Sequence, residues 1–171
     1  MKQQDLPHHR LGATRRIAGH AQEDHIPDPY QLRQKLSDPT VCPQCGAVYH
    51  NGRWQWAARP QESQEALCSA CRRINDKFPA GIVKFHGSFG PQQIAEIVHL
   101  ARHQEEAEKG EHPLNRIMTI DEEAQGIVIQ TTDIHLPRRI GEAAKRAFQG
   151  TLDQNFEEGG YFVRVDWTPK S

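Results

Sequence analysis

Every cysteine of the chain sits in one of two tight pairs, Cys42-Pro43-Gln44-Cys45 and Cys68-Ser69-Ala70-Cys71, with residues 46–67 between them. Two C-x2-C pairs at this separation have the ligand spacing of a tetrahedral metal site. Each pair makes a knuckle that brings two thiolates to one ion, and the intervening chain carries the second knuckle to the opposite side. Four sulfurs leave a d10 ion such as Zn2+ no open position, so the role this spacing predicts is structural. The competing arrangements are two disulfides or four free thiols. The opening residues include no apolar leader, so the expected compartment is cytoplasmic and reducing, where disulfides do not persist.

A chain of 171 residues suits one modest domain and an accessory module. Its mean hydropathy of -0.76 and 36 % hydrophobic content are low, which predicts that part of it stays outside any core. No apolar run is long enough to cross a bilayer. A net charge of -1 gives no global attraction to nucleic acid, so binding of that kind must come from a local patch.

Three regions follow from the pattern. Residues 1–39 carry prolines, glutamines and histidines without a sustained period, and read as a flexible arm whose end, from Asp28 to Leu36, is richer in Tyr and Leu and can lie against the folded body. Residues 40–78 read as a zinc ribbon. Asn51-Gly52 between Val48-Tyr49 and Trp54-Gln55-Trp56 is a strong hairpin signal. Residues 60–65 read as a polar loop, and residues 72–77 as a short helical turn. Trp54 and Trp56 share one strand face, and one or both are expected to shield the knuckles, with a base-stacking platform as the sharper alternative.

Residues 79–169 alternate strand and helix signals. A β-prone run at residues 81–87 precedes a helix opened by Gly90-Pro91, with Ile94, Ile97, Val98 and Ala101 as its apolar stripe. Two strands, 116–120 and 127–131, are joined by an acidic turn. A second helix is capped by Thr132 or Asp133 and buries Leu136, Ile140, Ala143, Ala144 and Ala147. A closing hairpin places Tyr161, Val163, Val165 and Trp167 on one face. The fold class this predicts is α+β: a small four-cysteine ribbon, then a ferredoxin-like βαββαβ domain with an added strand.

The polar side of the second helix collects Arg138, Arg139, Glu142, Lys145, Arg146 and Gln149 on one stripe. Four cations opposite a buried apolar stripe can track phosphates, and Arg72 and Arg73 beside the second knuckle add to an RNA-binding set. The bland alternative is a solvated face with Glu142 paired to Lys145 or Arg146. The acidic runs Glu105-Glu106-Ala107-Glu108 and Asp121-Glu122-Glu123 read as solvating helix ends and turns. His99 and His103 lie one helical turn apart, but a pair alone is too few ligands for a second metal site. Thr131-Thr132-Asp133-Ile134-His135 holds a hydroxyl, a carboxylate and an imidazole, and a helix cap explains it more simply than catalysis. Phosphate-loop, nucleophile-elbow and dinucleotide motifs are missing, so no enzyme activity and no small-molecule substrate are expected.

Taken with the two knuckles, the string Thr131-Thr132-Asp133-Ile134-His135-Leu136-Pro137-Arg138-Arg139-Ile140-Gly141-Glu142-Ala143 resembles a family of small bacterial proteins. That family is similar to the Nmd-type adaptors that bind the large (60S) ribosomal subunit for export. The resemblance covers roughly residues 28–167. It implies a zinc-bearing module beside a domain that engages ribosomal RNA. The chain departs from the long adaptors in having two C-x2-C pairs rather than several and no room for export signals. The leading expectation is a zinc-stabilised, non-enzymatic protein of translation or ribosome biogenesis that binds ribosomes or structured RNA. Cys42, Cys45, Cys68 and Cys71 hold the metal, and Arg138, Arg139, Lys145, Arg146, Arg72 and Arg73 meet phosphates. Two rivals remain. One is a rubredoxin-like iron redox protein, because four thiolates also suit iron. The other is a zinc-ribbon adaptor that binds only protein.

Overall fold

The computed structural model describes residues 28–32, 35–157 and 159–171. Most of the expected arm, residues 1–27, therefore lies outside the described residues. Two mixed sheets and three helices make up the rest, an α+β architecture.

The smaller sheet has the order β3-β2-β1-β4, from β1 (Thr40–Val41), β2 (Val48–His50), β3 (Arg53–Gln55) and β4 (Gln64–Glu65). The β2–β3 hairpin turns at Asn51 and Gly52, with φ of 50° and 81°. Both central positions of such a turn need positive φ, which Asn tolerates and Gly adopts freely. Strand β4 falls inside the segment read as a polar loop. It pairs in parallel with β1, Thr40 opposite Gln64 and Val41 opposite Glu65. Two polar residues carry no alternation to detect; only backbone pairing makes them a strand. Helix α1 (Ser69–Asp76) follows and ends on Lys77 in the left-handed region, whose N–H and that of Phe78 return to Ile74 and Arg73 carbonyls.

The larger sheet has the order β6-β7-β5-β9-β8. Its elements are β5 (Gly81–His86), α2 (Pro91–Lys109), β6 (Ile117–Glu123), β7 (Gly126–Thr131), α3 (His135–Ala147), β8 (Gly150–Phe156) and β9 (Val163–Pro169). Strand β9 lies beside β5 in parallel, and β8, which directly follows α3, is displaced to the edge. Composition explains which strand went inside. Val163, Val165 and Trp167 of β9 are buried, whereas β8 carries Thr151, Asp153, Gln154 and Asn155, residues an exposed edge accepts. Asp121, Glu122 and Glu123, read as a turn, extend β6 at the opposite edge, so their charges still face solvent.

One face of this sheet is the core. Val83, Phe85, Ile127, Ile129, Val163, Val165 and Trp167 meet Ile97 and Ala101 of α2 and Leu136, Ile140 and Ala144 of α3. Each large apolar side chain buried this way contributes about 1.5–3 kcal/mol. Helix α3 sits close because Gly141 has no side chain. A Cβ there would fall 2.6 Å from Val165 Cγ1 and 2.9 Å from a Leu152 methyl. Ala147, placed by sequence on the apolar stripe, is exposed.

The buried face of α2 runs on through Glu105 and Glu108, at 7 % and 6 % exposure. This corrects the reading of that acidic run as solvated; of the three glutamates only Glu106 is exposed. Both buried carboxylates are satisfied. Glu105 accepts from the Ile117 amide at 2.8 Å and from Arg102 at 2.8 Å. Glu108 accepts from Arg139 at 2.7 Å and Asn115 at 3.1 Å. Helical spacing places them under α3 and the start of β6, and partners from α2 itself, from the start of β6 and from α3 make that burial tolerable.

Candidate metal centre and basic face

The first knuckle lies just beyond β1. The Gly46 amide turns back to the Cys42 carbonyl, and the Cys42 amide donates to Ala47, which closes the loop around Cys42 and Cys45. The second knuckle is the N-terminus of α1. Cys68 is its cap, and its sulfur accepts from the Cys71 amide at 3.4 Å. The Cys68 amide in turn donates to Cys42 Sγ at 3.4 Å. All four sulfurs lie within 4.8 Å of one another, close enough to hold one metal ion. Among the described residues, no other group of three or more Cys, His, Asp or Glu meets that condition. Cys42, Cys68 and Cys71 are buried, and Trp54 and Leu114 pack against the group.

The thiols feel opposing forces. Burial pushes Cys68 and Cys71 up, and the neighbouring sulfurs add like-charge repulsion. Cys42 is also penalised by burial, but amides of Cys68, Cys45 and Gln44 overcome that and hold it at about 7. Donors around a thiolate favour its charged, ligating form.

One partner comes from the other sheet. Arg116, just before β6, donates through Nη2 to Cys68 Sγ at 3.3 Å and Cys71 Sγ at 3.4 Å. Burial disfavours its charge, but the hydrogen bond and charge of Cys71, with Cys68 and Cys45, raise its pKa above the ordinary value. Sequence reasoning passed over it, because a lone Arg at a strand start resembles any other. The Thr-Thr-Asp string holds it in place. The Arg116 amide donates to Thr132 Oγ1 at 2.9 Å, and the Thr132 amide donates to the Arg116 carbonyl at 2.9 Å. Thr132 also donates to Leu114. Asp133 is the helix cap, accepting from the His135 and Leu136 amides at 2.7 and 3.0 Å. Burial raises the Asp133 pKa despite those amides.

Of the two tryptophans, Trp54 shields the cysteines. Trp56 instead donates its indole N–H to the Lys109 carbonyl at the end of α2, 2.7 Å away, a second tie between the sheets.

The expected phosphate contacts separate into groups. Arg73 is 2 % exposed. Its guanidinium donates to Asp28 at 2.6 Å and to the Phe78 carbonyl at 3.2 Å, and it lies 4.3 Å above the Tyr30 ring. Having no free face, it anchors residues 28–30 to α1 and leaves the phosphate-contact set. Arg72 is half-buried near the same ring. Arg139 spends its charge on buried Glu108. Arg138 rests over Phe156, itself 50 % exposed, with its Nε 3.3 Å from Gln154. Lys145 and Arg146 are exposed. Arg138, Arg139 and Arg146, with His135, Gln104, Glu142 and Gln154, line an open groove of about 460 Å³. Glu142 accepts from Gln154 and makes no ion pair with Lys145 or Arg146 among the described contacts. His99 and His103 are exposed on α2.

No helix among the described residues is long and apolar enough to cross a membrane. Comparison with family models, with curated proteins and with solved structures finds no match to this chain.

Proposed function

We propose that this chain is a non-enzymatic, zinc-stabilised RNA-binding protein, in which a four-cysteine ribbon braces a ferredoxin-like domain variant whose α3 face meets structured RNA, that of the ribosome first among candidates. The observation that carries the reading is the groove beside α3. Arg138 and Arg146 line it exposed, with Lys145 exposed on the same helix outside the groove, while the helix's other face is committed to the core. Exposed Phe156 beneath Arg138 adds an aromatic to the cations, the combination that nucleic acid favours. The half-exposed face of the sheet offers less: Asp121, Asp153 and Asp166 stand on it beside Lys84 and Arg164, and Lys84 is paired with Glu123. The resemblance to Nmd-type adaptors points the same way, towards ribosomal RNA. The all-sulfur set of four cysteines within 4.8 Å of one another supports zinc as the ion. When bound, it would supply a cross-link and no chemistry.

Titration of the metal-loaded protein with ribosomal subunits and with a structured RNA, across a range of salt, tests this. Changing Arg138, Lys145 and Arg146 together to Gln should lower affinity roughly 10- to 100-fold and flatten the logarithmic salt slope by about 2–3, one counterion per lost phosphate contact. Changing Arg139 to Gln should act differently. It should cost about 1–3 kcal/mol of stability by leaving Glu108 short of a charged partner, with little change in salt slope. A folded triple variant that binds as tightly as the parent, with the same slope, would remove α3 as the contact face.

A further inference from the structure

A second concavity, about 590 Å³, lies between the ribbon and the α+β domain. Tyr49 and Trp54 of the β2–β3 hairpin, Tyr161 of the loop before β9, and Asp133 and His135 at the start of α3 all line it. His135 also lines the basic groove, so the two concavities meet at the N-terminal end of α3. A strand lying along Arg138 and Arg146 would therefore reach the cleft without leaving the surface.

The chemistry of the two halves differs. The groove offers cations, whereas among the described residues the cleft offers no free arginine or lysine. The one that lines it there is Arg73, held by Asp28 and stacked on Tyr30. The first amides of α3, which elsewhere would attract an anion, are taken by the Asp133 carboxylate. A phosphate is thus disfavoured in the cleft. What remains is aromatic surface and acceptors. Tyr49 and Trp54 pack edge-on with centroids 5.6 Å apart, and both are half-buried, as is Tyr161. Asp133 Oδ1 is buried and has no hydrogen-bond partner. Flat aromatic walls without a free arginine or lysine among the described residues fit an uncharged planar heterocycle.

We infer that this cleft receives an unpaired nucleobase of the RNA whose backbone lies along α3. The inference rests on the RNA-binding reading above and deepens it: the ligand must carry a loop or bulge, because bases inside a duplex cannot reach the cleft. Stacking on aromatic side chains is the usual way proteins hold such splayed bases. Tyr161 and the Tyr49–Trp54 pair supply the rings.

The test uses the full-length, metal-loaded chain and two labelled RNAs: a hairpin with an open loop, and the same stem closed as a continuous duplex. The hairpin should bind at least about 10-fold more tightly. Tyr161→Ala should weaken the hairpin roughly 5- to 100-fold, leave duplex binding unchanged and keep the salt slope. Tyr161→Trp should restore the hairpin preference. If Tyr161→Ala loses its thermal transition, Tyr161→Leu, which keeps the apolar body but not the flat ring, gives the same readout. Equal binding of hairpin and duplex, or a folded Tyr161 variant with an unchanged preference, would overturn base capture. Salt-dependent binding that still required Arg138, Lys145 and Arg146 would leave the RNA reading standing. No binding to either RNA would overturn both.

Discussion

Removing the metal, or replacing Cys68 by Ser, is expected to unfold the ribbon and leave most of the helix of the α+β domain in place. The smaller sheet has strands of two or three residues. Outside the cysteines, its fully buried apolar side chains are few: Val41, Ala47, Val48 and Ala70. So small a core cannot outweigh the chain entropy of residues 40–78. Structural zinc contributes an apparent 10–16 kcal/mol or so in comparable modules. The larger sheet has its own core, with Phe85, Ile129, Leu136, Ile140 and Val165 wholly buried. Circular dichroism should therefore keep its helical signal while amide protection disappears from β1 to β3. Elemental analysis should give one zinc per chain, and an iron form dominating in native cells would favour the redox reading. Because burial holds Cys68 and Cys71 protonated at neutral pH, metal must displace their protons. Affinity should then rise with pH, and acid should release the ion. A Cys68→Ser variant with full protection in the ribbon would show that the sheet stands without the metal.

How far the sequence foretold this depended on how local each signal was. The cysteine spacing, the Asn51-Gly52 turn, Pro91 opening α2 and the apolar stripe of α3 are local signals, and each is found where it was expected, except that Ala147 at the end of the stripe is exposed. Strand β4 and the exchange of β8 and β9 depend on pairing between distant segments, which no local pattern encodes. The glutamates show the same limit from another side. Glu105 and Glu108 looked like solvent residues because a carboxylate alone belongs in water; their partners Arg102, Arg139, Asn115 and the Ile117 amide come partly from other elements. For Arg73 the signal was ambiguous in kind. An arginine beside a knuckle can face phosphate or stack inward, and the decision rested on Tyr30 and Asp28, more than forty positions away in sequence.

Reversing the charge of Arg116 is expected to be the most damaging single change at the metal centre outside the cysteines themselves. Four thiolates around a divalent ion leave a partly buried site with net negative charge, and Arg116 is the cation set against two of its sulfurs. Unit charges at such separations interact by about 4 kcal/mol at an effective dielectric of about 20. Arg116→Glu replaces attraction by repulsion and should weaken metal binding roughly a thousandfold. Arg116→Gln removes only the attraction and should cost about 10- to 100-fold, the usual effect of losing a partner that orients metal ligands. Arg116→Lys should fall nearer the parent but short of it, since its shorter side chain ends in a more strongly hydrated ammonium that is costlier to hold in a partly buried site. Competition with a chromophoric chelator reads these affinities directly. The consequence should spread into the second domain. Thr132 is bonded to the Arg116 backbone, and Asp133 beside it caps α3. Displacing the Arg116 side chain should therefore loosen amide protection at the start of α3 as well as in the ribbon. A folded Arg116→Glu protein that held metal as tightly as the parent would show that the ribbon needs nothing from the other sheet. Matched losses at the sulfurs and at His135 and Leu136 would instead make Arg116 the residue through which metal occupancy sets the shape of α3.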